Sequence, residues 1–307
     1  MKKVTLLLLS CSSLLLFTQC RKSAGTSIQS LSAKTKAVSV AAAATASCAC
    51  AESATKVTGA QAEAWAKQFA PLAKFDRSAP DYPTTVEDIW ANTDPASIVC
   101  GGKLVLLNDD PPRSLNFPTY YDVLAHPNDA NKVFIDYWML YKRQSNCIGS
   151  TGGHDYDLEH MVVQFNKVTQ RVLTVTYFQH KGWYTKDWRN VDPATRIEVY
   201  VGKKAHGMYH FGRSSSFPGV ECTYWGDYRN PAGPQDYAST WNNLVQMSCS
   251  IPQFNYDGDW GNPGKGPMHR DRNYWDLPSC KGTDGATGTD GCSQCDFDQS
   301  VLIGSIN

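Results

Sequence analysis

Between Val133 and Val201 the chain carries four short runs rich in aromatic and β-branched residues, with no long helical pattern between them. They are Val133–Lys142 (VFIDYWMLYK), Leu158–Phe165 (LEHMVVQF), Arg171–His180 (RVLTVTYFQH) and Arg196–Val201 (RIEVYV). Alternation of this kind, punctuated by Gly, Asn and Lys turns, reads as strands. A doubly wound parallel sheet needs helices between its strands, and none is written here. The expected fold is mainly β, an antiparallel β-sandwich with a few short helices. One helix is expected from Ala60 to about Phe69, opened by a sequence like a capping box at Thr58–Gln61 and stopped by Pro71. Trp65 and Phe69, four residues apart, then share a face. A second helical turn is expected over Thr85–Trp90.

The N-terminus constrains the address. Met1-Lys2-Lys3 precedes an apolar run from Val4 to Phe17, too short to span a bilayer and of the form of a secretory signal. It ends at Phe17-Thr18-Gln19-Cys20, which resembles a loose bacterial lipoprotein box. The resemblance implies cleavage before Cys20, acylation of its thiol, membrane attachment there, and a place in the bacterial cell envelope or outside the cell. Residues 1–19 are thus read as signal peptide and 20–56, a Ser/Ala/Thr-rich stretch, as a tether. Residues 57–307 are read as the sandwich domain with a C-terminal tail pinned by disulfides. Eleven cysteines in an exported chain favour disulfides over a zinc ribbon. With Cys11 and Cys20 set aside, nine remain, an odd number whose pairing the sequence leaves open.

Charge excludes one class of partner. The chain has 29 basic and 29 acidic residues, and residues 57–307 hold 22 basic against 28 acidic. With no basic surplus or stripe, a nucleic-acid partner is not expected. A mildly acidic body suits a cation better.

The segment richest in chemistry is Gly153-His154-Asp155-Tyr156-Asp157-Leu158-Glu159-His160. On a strand, Asp157 and Glu159 project to one side, and His154 in the preceding turn can fold back toward them. Two carboxylates and an imidazole make a divalent-cation site, for Mg²⁺ or Ca²⁺ first and Mn²⁺ or Zn²⁺ second. Side-by-side carboxylates also repel unless a cation or proton intervenes. His160, one residue past Glu159, points the other way. Asn146, His160, His180 and His206 are candidate further ligands or supports. His210 and His269 are read as surface residues.

These residues resemble the heptapeptide Gly-His-Arg-His-Asp-Trp-Glu of the necrosis- and ethylene-inducing peptide-like cytolysins. Gly153, His154, Asp157 and Glu159 stand in register with it, whereas Asp155, Tyr156 and Leu158 replace its Arg, second His and Trp. The resemblance implies that His154, Asp157 and Glu159 hold a divalent cation. It also implies a binding surface for a membrane lipid or glycan headgroup, and the altered motif sets lytic activity apart. A broader similarity is to the vacuolar protein sorting-associated family sixty-two. It rests on Ala70-Pro71-Leu72, Ile135-Asp136-Tyr137-Trp138, Gln179-His180, Val199-Tyr200-Val201 with Ala205-His206-Gly207, and Gly258-Asp259-Trp260-Gly261. Gly-x-Ser-x-Gly and His-Glu-x-x-His are absent from the sequence. The alternative function is a metal-dependent hydrolase of phosphoesters or glycans, with His154 or His160 as general base.

Overall fold

A computed structural model describes residues 48–110, 113–146, 153–179, 182–187, 196–210 and 234–270. Two sheets dominate. The larger has six strands in the order β10-β2-β3-β4-β5-β6. Its strands are β2 (Thr119–Ala125), β3 (Lys132–Gln144), β4 (His154–Asn166), β5 (Arg171–Gln179), β6 (Gly182–Asp187) and β10 (Leu244–Gln246). The smaller has the order β8-β7-β1-β9, with β1 (Leu72–Asp76), β7 (Glu198–Val201), β8 (Met208–Tyr209) and β9 (Gln235–Ser239). Pairing is antiparallel apart from β1 with β7 and β10 with β2.

The period-2 pattern sorts the larger sheet's side chains onto two buried faces. Odd-numbered residues such as Tyr137, Met139, Met161, Val163 and Tyr177 pack with Ala73, Phe75, Val199, Val201 and Met208 of the smaller sheet. That is the sandwich core. Even-numbered Trp138, Leu140 and Leu158 pack instead with Val86, Ile89 and Trp90, and with Phe254, Tyr256, Trp260 and Met268 of the C-terminal turns. A sheet covered on both sides is why β3 and β4 read as nearly continuous apolar runs.

Two helices add to these packed faces, one to each. Helix α1 (Ala60–Phe69) is capped by Gly59, whose φ is 77°, and the expected side-chain cap at Thr58 is not made. Trp65 and Phe69 do share a face, and both rings meet Phe165. Helix α2 (Val86–Ala91) is capped by Thr85, whose hydroxyl accepts from the Asp88 amide at 3.0 Å.

Residues 48–56 lie against the domain. Cys48 is bonded to Cys100 and Cys50 to Cys249. The Ala125 amide donates to Thr55 O, and Lys56 Nζ donates to Met247 O. The packed chain thus begins at least nine residues before the tether boundary read from composition. The Cys147, Cys222, Cys280, Cys292 and Cys295 positions, and with them the pinned tail, lie outside the described residues.

Candidate functional site

Asp157 and Glu159 leave β4 on the core-facing side, opposite Tyr141 and Met139 of β3. Both are buried, Asp157 at 4% and Glu159 at 3% exposure. The imidazole that reaches Asp157 belongs to His206, in the turn between β7 and β8. Its Nδ1 lies 2.8 Å from Asp157 Oδ2. Its ring lies flat on Tyr141, with centroids 3.8 Å apart and planes within 4°. Its Nε2 is buried and lies 3.9 Å from Asp81 Oδ2. Asp81, in the loop after β1, is itself buried and accepts a hydrogen bond from Ser145 Oγ at 2.8 Å. One imidazole is therefore held between two buried carboxylates, with a third two residues along the strand.

Backbone geometry aims these groups. Both Tyr156 and His206 are non-glycine residues in the left-handed region, with φ of 57° and 55°. Such conformations cost about 1–3 kcal/mol each and persist only where the surroundings impose them. At Tyr156 the cause is visible. Its hydroxyl bonds Thr93 Oγ1 at 2.9 Å, and its ring packs on Gly261, where a Cβ would collide with it. The turn at Tyr156 carries Asp157 toward His206.

His154 opens β4 opposite Gln144 rather than sitting in the turn. Its Nδ1 lies 2.7 Å from Tyr156 O, so the ring is folded onto its own strand. His154, Asp157 and Glu159 do not form a group whose ligand atoms all come within 4.8 Å of one another. Among the described residues, two such groups occur, Cys48 and Cys100 with Asp257, and Cys50 and Cys249 with Glu52. In both, the sulfurs are committed to a disulfide, so neither offers thiolate ligands. Asn146 is exposed and lies over Gly153, where a Cβ would fall on its amide oxygen. A larger residue at that first position of the motif would have to displace the Asn146 side chain. His180 lies outside the described residues.

His160 faces the opposite side of the sheet. It stacks between Trp138 and Phe178, each centroid 3.8 Å away, and its Nδ1 lies 2.7 Å from Asp136 Oδ1. Trp138 Nε1 donates to the other oxygen of Asp136 at 2.6 Å. Burial pushes the His160 pKa down, against the pull of Asp136, and Arg270 adds to the downward push. Asp136 pairs across strands with Asp122, both fully buried, and Lys56 Nζ lies 3.6 Å from Asp122. Sequence reading missed this polar inlay. Its signal was an acid within the apolar run Ile135-Asp136-Tyr137-Trp138. His210 is not a surface residue, being 8% exposed with its ring 6.0 Å from Tyr177. His269 is half-buried, with Nε2 3.2 Å from Asn255 O.

No protein-family model matches the chain, and no curated protein matches it. The similarity to the vacuolar protein sorting-associated family is therefore not supported. Among solved structures, the chain is similar to NLPPya in complex with mannosamine, at 16% identity over 72% of this chain and 91% of that one, TM-score 0.41. It is also similar to Necrosis and Ethylene inducing Protein 2 from the causal agent of cocoa's Witches Broom disease, at 18% identity over 50% and 68%, TM-score 0.34. A third is the non-toxic HaNLP3 protein, at 14% identity over 63% and 78%, TM-score 0.35.

Proposed function

We propose that this chain is an exported, lipid-anchored β-sandwich protein that binds a divalent cation at the start of β4. There it would recognise a membrane lipid or glycan headgroup. The observation that carries the reading is the buried line Asp157–His206–Asp81, with the two imidazole nitrogens 2.8 and 3.9 Å from the carboxylates and the buried Glu159 two residues along β4. The three carboxylates and one imidazole are an oxygen-rich set that a cation would have to draw together, since no three of their ligand atoms lie within 4.8 Å of one another. The set suits Mg²⁺ or Ca²⁺, and the nitrogen admits Mn²⁺ or Zn²⁺. Buried carboxylates clustered in this way are relieved by a cation, which supplies charge neutralisation and open positions for ligand oxygens. Asp157, Glu159 and His206 are the residues that would hold it. Asp81 would orient the imidazole from its far side, as outer carboxylates do for metal-bound histidines.

Titration calorimetry with Ca²⁺, Mg²⁺, Mn²⁺ and Zn²⁺ tests the reading on the native chain and on the Asp157→Asn/Glu159→Gln variant. The expected outcome is binding of at least one cation by the native chain, weakened tenfold or more in the variant. Equal binding by both ends it. Mass spectrometry of the mature N-terminus tests the anchor, and an unmodified Cys20 removes it.

A further inference from the structure

At the edge of the smaller sheet, a cleft of about 330 Å³ opens between the 115–117 loop and the β9 segment. It is remote in the strand order from the carboxylate cluster, since β9 and β8 are opposite edges of that sheet. Its volume is at the low end for small-molecule sites. The polar residues of its lining are Asn116, Ser239, Thr240, Asn242 and Asn243. Tyr237, 55% exposed, adds an aromatic ring to the lining, and Leu115 adds aliphatic surface. No Asp, Glu, Lys, Arg or His lines the cleft.

We infer that this cleft is a second binding site, separate from the cation cluster, and that it takes a neutral sugar ring. Three features of the lining support this. The side-chain amides of Asn116, Asn242 and Asn243 make no hydrogen bond within the described residues, so their donors and acceptors are available. Each amide offers one acceptor and two donors, the complement of a pair of neighbouring hydroxyls. The uncharged lining disfavours an ionised ligand, which would lose hydration and find no countercharge. The exposed Tyr237 ring supplies a flat apolar face with a polar tip, as suits a molecule that is apolar on its ring faces and polar at its rim. Lys74 Nζ lies 6.0 Å from the centroid of that ring and is held by Glu198 and Tyr200, which fixes the platform from the neighbouring strand. The site does not depend on the cation reading.

The test is calorimetry and saturation-transfer NMR of the folded protein, in chelator, with a panel of neutral oligosaccharides: maltotriose, cellotriose and chitotriose. The expected result is binding of at least one at millimolar concentration or below. Tyr237→Ala should weaken it tenfold or more, Asn242→Ala threefold or more, and Tyr237→Trp should restore it. The Asp157→Asn/Glu159→Gln variant should bind the sugar as the native chain does, which separates failure here from failure at the cation cluster. The inference is overturned if no oligosaccharide binds, or if binding is indifferent to Tyr237→Ala and Asn242→Ala. It is also overturned if the cleft takes only an extended peptide along the β9 edge. Tyr237 and Asn242 are both exposed, so these variants leave the core intact.

Discussion

Two buried histidines illustrate what a strand's parity decides. His160 faces the helix-covered side of the larger sheet, and His206 reaches the other side from the β7–β8 turn. His160 is wrapped by Trp138 and Phe178 and meets Asp136, with Arg270 adding a positive charge from the C-terminal turns. Burial lowers its pKa, so the fold holds it neutral. Its ordinary value is about 6.5. Above that pH its contribution to stability is complete, and it is lost as the pH falls toward the depressed value in the fold. Acid denaturation of the native chain should therefore steepen below about pH 6.5, by at most about 1.4 kcal/mol per pH unit for this one proton. His160→Gln should lose that component of the slope. An unchanged pH profile of the midpoint in the variant would refute the assignment. The parity rule was legible in the sequence and put Asp157 with Glu159. The partner imidazole was not. His154 is drawn onto Tyr156 O by a left-handed residue that no local signal announces, because tyrosine rarely adopts it. His206 arrives through the folding of one sheet on the other, which a single sequence does not encode locally.

At the scale of elements, turns and caps decide the ends of segments whose middles are obvious. The centres of β3, β4, β5 and β7 were readable from branched and aromatic runs. Strands β1, β8, β9 and β10 were not, because segments of two to five residues show little period and, unlike the equally short β7, they carry no Val-Tyr-Val run. A helical turn over Thr85–Trp90 was readable, and the Thr85 hydroxyl holds the first turn of α2. Thr85→Ala should cost about 0.5–2 kcal/mol in urea denaturation. No loss would mean that packing of Val86, Ile89 and Trp90 alone holds the helix. The β4–β5 turn carries an opposite opportunity. Gln170 is exposed and has φ of 54°. Relief of a left-handed side chain is worth about 1–2 kcal/mol, and the added freedom of glycine returns about 0.5–1 kcal/mol of it. Gln170→Gly should therefore raise stability modestly, read as a higher urea midpoint with an unchanged slope. A lower midpoint would show that the Gln170 bond to Lys167 O outweighs the strain.

Over the whole molecule, the larger sheet is a middle layer, and both of its faces are closed by parts of the chain distant in sequence. The disulfides join such parts. They link Cys48 to Cys100 and Cys50 to Cys249, across 52 and 199 residues. Loops of that length restrict the unfolded chain strongly, and the Cys48→Ser/Cys100→Ser variant should lose about 2–4 kcal/mol. Differential scanning calorimetry checks this, and an unchanged melting temperature would place the constraint elsewhere. Composition suggested disulfides but left the pairing open, and it assigned residues 48–56 to the tether because they are small and polar. They pack because Ala125 of β2 and Met247, just past β10, offer backbone partners that only the folded sheet brings near.

The two cystines stand two residues apart, and one leads to the loop after α2 while the other leads to the segment after β10. Tension applied to the chain ahead of Cys48 would thus be divided between two remote points by covalent bonds. The sandwich could be tugged, sheared or swung from its leading end without its first strand peeling away.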